Sequence, residues 1–237
     1  MKTVSPATTK GEHHPDPPIE RITRFLTRYR KPILISLGVV ALATVALVIV
    51  LSVQTARTEA ALIAVEDLQD QFEAWEALDE EAQGAQYDGL AESAAAVVSE
   101  YPRTYAAVRA RVLDARALAA LGRYDEASSR FVEAAEARPR TYLAPVAYMD
   151  AAVAAENAGN TDRALELYRR IVDRYSGESA EVPRAVFSIG RVHEQRDEIA
   201  EAAEAYRQLI AAHPESGWTN LARNRIIALT VEGRIGG

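Results

Sequence analysis

Residues 102–142, PRTYAAVRARVLDARALAALGRYDEASSRFVEAAEARPRTY, begin and end with the same four residues. The interval from Pro102 to Pro139 is 37 residues, and two further marks, Ser176 and Pro214, follow after 37 and 38 residues. Self-similarity at a fixed period of about 20–50 residues is typical of repeat proteins, in which stacked units bury a continuous core. The sequence therefore predicts a solenoid with units at 103–139, 140–176 and 177–214.

A small residue and an aromatic ring recur inside each unit. The small residue is an alanine and the ring follows four residues later, in the pairs Ala127/Phe131, Ala164/Tyr168 and Ala202/Tyr206. Residues four apart lie on one face of a helix, so the alanine allows a second helix to approach and the ring fills the space beside it. Gly190 is predicted to take the small position of the first helix in unit 177–214. The pattern predicts pairs of closely packed antiparallel helices.

These features resemble the tetratricopeptide repeat. Residues 121–127 (LGRYDEA) are similar to the family's corner between the two helices of a unit, and residues 158–164 (AGNTDRA) are their counterpart in the next unit. The resemblance implies an all-α solenoid that binds proteins and needs no cofactor. A half-unit at 87–102 and a closing helix at 216–232 complete a predicted domain over 84–237.

Before the repeats, residues 32–56 contain no charged side chain and are largely aliphatic. A helix of this length is about 37 Å long, enough to cross a hydrocarbon core of about 30 Å. A cleaved signal peptide would have an apolar region of about 7–15 residues followed by a small-residue cleavage site, and the sequence has neither. We therefore expect an uncleaved, single-pass transmembrane helix at 32–56.

The flanks of this segment differ in charge. Only Arg57 is basic on its C-terminal side before a run of acids, whereas five bases precede it, namely Arg21, Arg24, Arg28, Arg30 and Lys31. This bias predicts an N-terminus in the cytoplasm and a C-terminal domain in the periplasm or another extracytoplasmic space. We further expect a disordered cytoplasmic tail at 1–18, a basic amphipathic lead-in at 19–31 and a helical stalk at 57–83.

The charge and cysteine content of the chain limit the kinds of partner that it is expected to bind. The chain has 27 basic and 34 acidic residues, a net charge of −7; residues 1–31 hold seven bases and three acids, so the remainder carries −11. The basic end suits an anionic cytoplasmic leaflet, whereas the acidic remainder argues against a nucleic-acid partner. The chain has no cysteine, so no disulfide framework is expected.

The sequence contains no recognisable catalytic or metal-binding motif. His193-Glu194 is not followed by a histidine three residues later, as it would be in a metalloprotease, and neither a Gly-x-x-x-x-Gly-Lys loop nor a Gly-x-Ser-x-Gly elbow occurs. We therefore expect a protein that is not an enzyme, with no catalytic, cofactor-binding or metal-binding residues and no small-molecule substrate.

The tetratricopeptide resemblance places nine side chains in the binding groove. They are Arg109, Val112 and Arg116 in the first unit, Met149, Val153 and Asn157 in the second, and Arg184, Phe187 and Arg191 in the third. Two units thus repeat an Arg–apolar–Arg pattern. One hypothesis is that the groove holds an extended segment through apolar pockets and arginine contacts to carboxylates or carbonyls. The alternative is that these arginines pair with acids on the neighbouring helix.

The order of parts also resembles the YfgM-like ancillary subunits of the SecYEG translocon. The likeness includes residues 24–26 (RFL), 58–61 (TEAA) and 101–105 (YPRTY). It implies an adaptor that assists newly exported proteins, with SecYEG and a PpiD-like periplasmic chaperone as partners. A structural scaffold of a cell-envelope complex, acting in assembly or division, is the other hypothesis; it would bind one folded partner through the convex face or the closing helix.

Overall fold

The computed structural model describes residues 18–177 and 179–236, and all of the regular secondary structure in these residues is helical. The described chain divides after Ala56 into two compact units. Its helices are α1 (Pro18–Glu76), α2 (Glu80–Glu100), α3 (Tyr105–Ala120), α4 (Tyr124–Ala137), α5 (Leu143–Asn157), α6 (Thr161–Tyr175), α7 (Glu181–Gln195), α8 (Ile199–Ala212) and α9 (Gly217–Val231).

The N-terminal unit contains the apolar part of α1. The helix continues through Pro32, and every side chain described from 34 to 59 is exposed, most of the large ones being Leu, Ile or Val. Thr44 satisfies its hydroxyl within the helix by donating to the carbonyl oxygen of Val40 at 2.9 Å. Within the described residues, α1 alone is long and apolar enough to cross a membrane.

The segments predicted to precede the span are only partly described. Of the predicted tail at 1–18, all but Pro18 lies outside the described residues. The lead-in at 19–31 is helical as part of α1, but most of its side chains up to Leu26 are likewise outside the description. Its amphipathic character therefore stays a prediction.

The second unit is a stack of helix pairs. We call α3, α5, α7 and α9, with residues 57–76 of α1, the first helices, and α2, α4, α6 and α8 the second helices. Each of α4, α6 and α8 packs on the helix before it and on the helix after it, and α9 packs on both α7 and α8. The three predicted units each contain one pair, and the predicted closing helix is α9. An all-α solenoid is confirmed.

The segment predicted as a stalk is part of this packed unit. Ala61, Val65, Leu68, Phe72 and Trp75 are buried in the same hydrophobic core as the repeats. The indole nitrogen of Trp75 donates to the carbonyl oxygen of Gln83 at 2.9 Å, which ties α1 to the start of α2. Residues 57–76 and α2 thus form a further pair, so the packed unit begins before 84. The sequence shows an apolar stripe here but does not show what covers it.

The small-residue positions are confirmed by the packing. Ala127, Ala164 and Ala202 are fully buried. A Cβ atom added at Gly190 would lie 2.5 Å from Cε1 of Tyr206, closer than real Cβ contacts permit. Glycine is therefore required where the ring of α8 meets the backbone of α7.

Left-handed residues turn the chain at the corner of each unit. Gly122 and Gly159 have φ values of 71° and 78°, and each directly follows the residue that caps the C-terminus of its first helix. This is the position at which glycine ends helices at little cost, because it has no Cβ. Asp197, with φ 61°, takes the same place in the third unit. The three units therefore share one corner geometry although the third has no glycine there.

Candidate protein-binding groove

The accessible side chains of the first helices form a surface that we call the first-helix surface. α7 contacts both α5 and α9. A side chain of α3 reaches α1, since Arg109 donates to the side-chain oxygen of Gln69 at 3.3 Å. In solenoids of stacked helix pairs, such surfaces are extended and concave and serve for binding.

Eight of the nine predicted groove residues have accessible side chains on the first helices. Arg116 and Asn157 are exposed, and Arg109, Val112, Val153, Arg184, Phe187 and Arg191 are half-buried. Met149 differs, because its exposed fraction is 0% and it belongs to the hydrophobic core. The prediction that Met149 faces a ligand is therefore wrong.

Arg191 is engaged within the domain. Its guanidinium donates to Oε1 of Glu156 at 2.6 Å, and the same carboxylate oxygen accepts from the hydroxyl of Tyr168 at 2.5 Å. Glu156 is only 12% exposed at its side chain. Burial, and then the bond to Glu156, raise the pKa of Tyr168 well above its usual range, so the phenol stays a hydrogen-bond donor. Arg191 therefore pairs with an acid of another first helix, as the second of the two hypotheses for the groove arginines predicted.

The same arrangement recurs one unit later. Glu194 accepts from the hydroxyl of Tyr206 at 3.0 Å and pairs with Arg225 of α9. The sequence analysis missed Glu156, Glu194 and Arg225. A signal was available, because each glutamate precedes the tyrosine of its own unit by 12 residues.

Arg116 and Arg184 have weaker partners. Arg184 is 3.4 Å from Glu181 of its own helix, and its side chain is 38% exposed. Both arginines face Asp150 of α5 electrostatically; burial raises the pKa of Asp150 above its usual value, while Arg116 and Arg184 oppose that rise. Arg116 is exposed to solvent. These two guanidinium groups are the ones best placed to meet an anionic group from outside.

An apolar region adjoins them. The ring of Phe187 lies 5.5 Å from that of Tyr206 and 5.4 Å from that of Trp218, measured between centroids. Phe187 also lines a cleft of about 300 Å³ that reaches Arg225. The described residues contain no group of three His, Asp or Glu side chains placed to hold a metal ion. This arrangement suits binding of apolar and acidic side chains.

Comparison with known proteins identifies the repeats. A family model of the tetratricopeptide repeat matches residues 112–179 and, overlapping, 149–217. A TPR repeat-containing protein of Treponema pallidum (strain Nichols) is 37% identical over 110 residues, which are 46% of this chain and 45% of that protein. The chain therefore spans less than half the length of this relative.

Solved structures agree on the fold. Two crystal structures of nearly identical TPR-like repeats from Podosopora anserina match with a TM-score of 0.50 and 17% identity; the match covers 72% of this chain and 88% and 89% of those chains. Residues 112–217 thus match the tetratricopeptide repeat, within a TPR-like solenoid. Repeats of this class present extended surfaces to other proteins.

Proposed function

We propose that this protein is a membrane-anchored, non-enzymatic adaptor that binds other proteins through its first-helix surface. The observation that carries the proposal is the combination in one chain of an exposed apolar helix with tetratricopeptide repeats. The helix would hold the binding surface near the membrane, where its effective concentration for membrane-bound partners is high.

The charge flanking the apolar segment supports an orientation. Arg28, Arg30 and Lys31 precede the segment, whereas acids follow Arg57. In this orientation the N-terminus lies in the cytoplasm and the repeats lie on the outer face of the cytoplasmic membrane. A repeat domain in that place would meet proteins as they leave the translocon. The architecture then favours the SecYEG translocon and a PpiD-like chaperone as partners.

The first-helix surface suits an extended polypeptide segment. Val153 and Phe187 offer half-buried apolar contacts, and Arg116 and Arg184 stand beside Asp150, where an incoming carboxylate can compete for them. Charge-assisted hydrogen bonds from arginine are about twice as strong as neutral ones. Asn157 adds an exposed amide that can bond to the ligand's backbone.

The proposal is tested by reversing both charges, with Arg116→Glu and Arg184→Glu together. Wild type and variant are crosslinked in intact membranes and purified in detergent, and attached proteins are measured by mass spectrometry. We expect translocon subunits and exported chains on the wild type and about tenfold less on the variant. Arg103→Glu with Arg207→Glu, at exposed positions outside this surface, changes the net charge equally and should retain them. Equal recovery on both variants would contradict the proposal.

The scaffold function is favoured by a different observation. α9 exposes Leu221 to 45%, Ile227 to 61% and Val231 to 83%, so the outer face of the closing helix is partly apolar, with polar residues such as Arg223 and Asn224 between them. Such a face suits one folded envelope partner. Ile227→Glu would then abolish recovery of a single stoichiometric partner, and the variant of Arg116 and Arg184 would not. The opposite pattern supports the adaptor.

A further inference from the structure

Two tyrosines form a row at the edge where the first helices begin. Tyr105 and Tyr142, which end the two PRTY sequences, lie at the starts of α3 and α5. Their hydroxyl oxygens are 2.6 Å apart and their ring centroids 6.4 Å apart. Tyr142 is nevertheless 70% exposed, a large value for an aromatic ring.

The row stops at the third unit. Tyr142 is the residue before α5, with φ −61° and ψ −22°, and Ala180 is the residue before α7, with φ −64° and ψ −15°. The backbone is therefore the same at the two places, but Ala180 and its neighbour Ser179 are small. The position at which a third ring would continue the row has no ring.

A cavity of about 910 Å³ lies at this place. Tyr142 lines one side of it, and Ser179 and Ala180 line another. Its other lining residues include one acid, Glu181, which pairs with Arg184 of its own helix. The apolar groups and the two exposed cations are Pro139, Pro145, Val146, Tyr175, Arg140 and Arg174. The wall is held in place between units, because the hydroxyl of Tyr175 donates to the carbonyl oxygen of Pro139 at 3.0 Å.

We propose that this cavity binds an aromatic side chain of a partner polypeptide, with a carboxylate next to it in the sequence bonding to Arg140 or Arg174. The ring continues the row by packing beside Tyr142, which removes exposed aromatic surface from water. The two guanidinium groups select an acid and disfavour a base. None of the nine predicted groove residues lines this cavity, so the site is separate from that of the proposed function.

The test uses the full chain in lipid nanodiscs and one capped probe peptide, acetyl-Gly-Ser-(4-fluorophenylalanine)-Asp-Gly-Ser-amide. Binding is followed by ¹⁹F NMR line broadening as a function of protein concentration. The wild type should give saturable broadening. Ala180→Tyr places a ring in the cavity. The backbone at residue 180 has the same conformation as the backbone at Tyr142, so it can carry a tyrosine. This ring occupies the site, and the variant should bind the peptide about tenfold or more weakly.

Two matched variants and one matched peptide complete the test. Ala180→Ser keeps the cavity and should bind as the wild type does, whereas Tyr142→Ala removes the stacking partner and should weaken binding about tenfold. A probe with Asn in place of Asp should also bind more weakly. Arg116→Glu alone should leave this binding unchanged, because Arg116 does not line the cavity. This variant separates failure of the two sites. Absence of wild-type binding, or equal binding by Ala180→Tyr and wild type, would overturn the proposal.

Discussion

Two junctions in the solenoid differ in chemistry, and each is the contact between the helix pair of one repeat and the first helix of the next. The junction after the first repeat and the junction after the second join equivalent helices, but the first is apolar and the second is polar. In the second, Glu156, Tyr168 and Arg191 join α5, α6 and α7 through one shared carboxylate. One repeat earlier, the matching positions hold Ala119, Phe131 and Val153. All three positions therefore change together from apolar to polar.

This difference shows which features belong to the fold and which are free to vary. The small residue and the ring recur in every unit because helix packing needs them. The polar group is optional, but once present it must be complete, because a buried carboxylate without partners is costly. The arginines of the repeated pattern therefore have different roles. Arg191 joins two units, whereas Arg116 remains available to bind a ligand.

The largest expected effect comes from removing the shared carboxylate. Glu156→Ala leaves the hydroxyl of Tyr168 and the guanidinium of Arg191 without their acceptor, and should lower the free energy of unfolding by about 3 kcal/mol. Urea unfolding of the full chain, followed by circular dichroism, measures it. Glu133→Ala, at an exposed acid paired with Arg130 on α4, should cost less than about 0.5 kcal/mol. Equal losses in the two variants would show that the polar junction is no stronger than a surface pair.

Converting the second junction to the first should restore stability. The triple variant Glu156→Ala, Tyr168→Phe, Arg191→Val removes the shared carboxylate and both groups that donate to it. Among the described residues, only the Ser188 hydroxyl, which bonds to Tyr168, then loses a partner. We expect it to recover about 2 kcal/mol relative to Glu156→Ala alone, since apolar replacements of a complete buried ionic group are often neutral. The same urea titration measures it. If the triple variant is less stable than the single one, the junctions are not interchangeable.

A smaller effect separates the third unit from the others. Gly190→Ala should destabilise by about 1–2 kcal/mol, because its Cβ would meet the ring of Tyr206 at 2.5 Å. Gly89 lies in α2 with no atom within 4 Å of such a Cβ. Gly89→Ala should therefore stabilise by about 0.5–1 kcal/mol through helix propensity. Thermal unfolding of both variants measures the contrast, and shifts of the same sign would refute it.

The smallest effect is a dependence of stability on pH at the junction after the third repeat, where Glu194 of α7 bonds to Tyr206 of α8 and Arg225 of α9. Burial acts to raise the pKa of Glu194, but the bonds from Arg225 and Tyr206 outweigh it and hold the pKa below its usual value. The stabilisation is then fully present above about pH 4.5 and is lost as the pH falls below it. Glu194→Gln should lose less stability between pH 7 and pH 3 than the wild type. Glu201→Gln, at an exposed position of α8, is the control, and the same loss in all three proteins would exclude this role.

Periodicity made most of the fold predictable. The ring positions and corners follow from the 37-residue spacing, because each is repeated and each has a local cause in helix geometry. The burial of Phe72 and Trp75 was not predictable in this way, because it depends on which surface α1 meets. The prediction for Met149 failed for a related reason. Its position in the repeat indicates which way the side chain points, but not whether neighbouring helices cover it.

The candidate site was less predictable than the fold. Whether an arginine is free depends on one distant carboxylate, and for Arg191 that carboxylate lies 35 residues earlier. The cavity beside Tyr142 was also missed, because it arises from the absence of a ring at Ala180. A search for breaks in the repeat, rather than for the repeat alone, would have indicated it.

Site-specific photo-crosslinking in intact membranes shows which face of the repeats meets other proteins. A photoreactive phenylalanine is placed at Asn157, exposed on a first helix, or at Gln208, exposed on the second helix α8. If the first-helix surface binds these proteins, Asn157 should give crosslinks to translocon subunits and exported chains, and Gln208 should give few. Crosslinks of equal yield from both positions, or none from Asn157, would contradict binding at the first-helix surface.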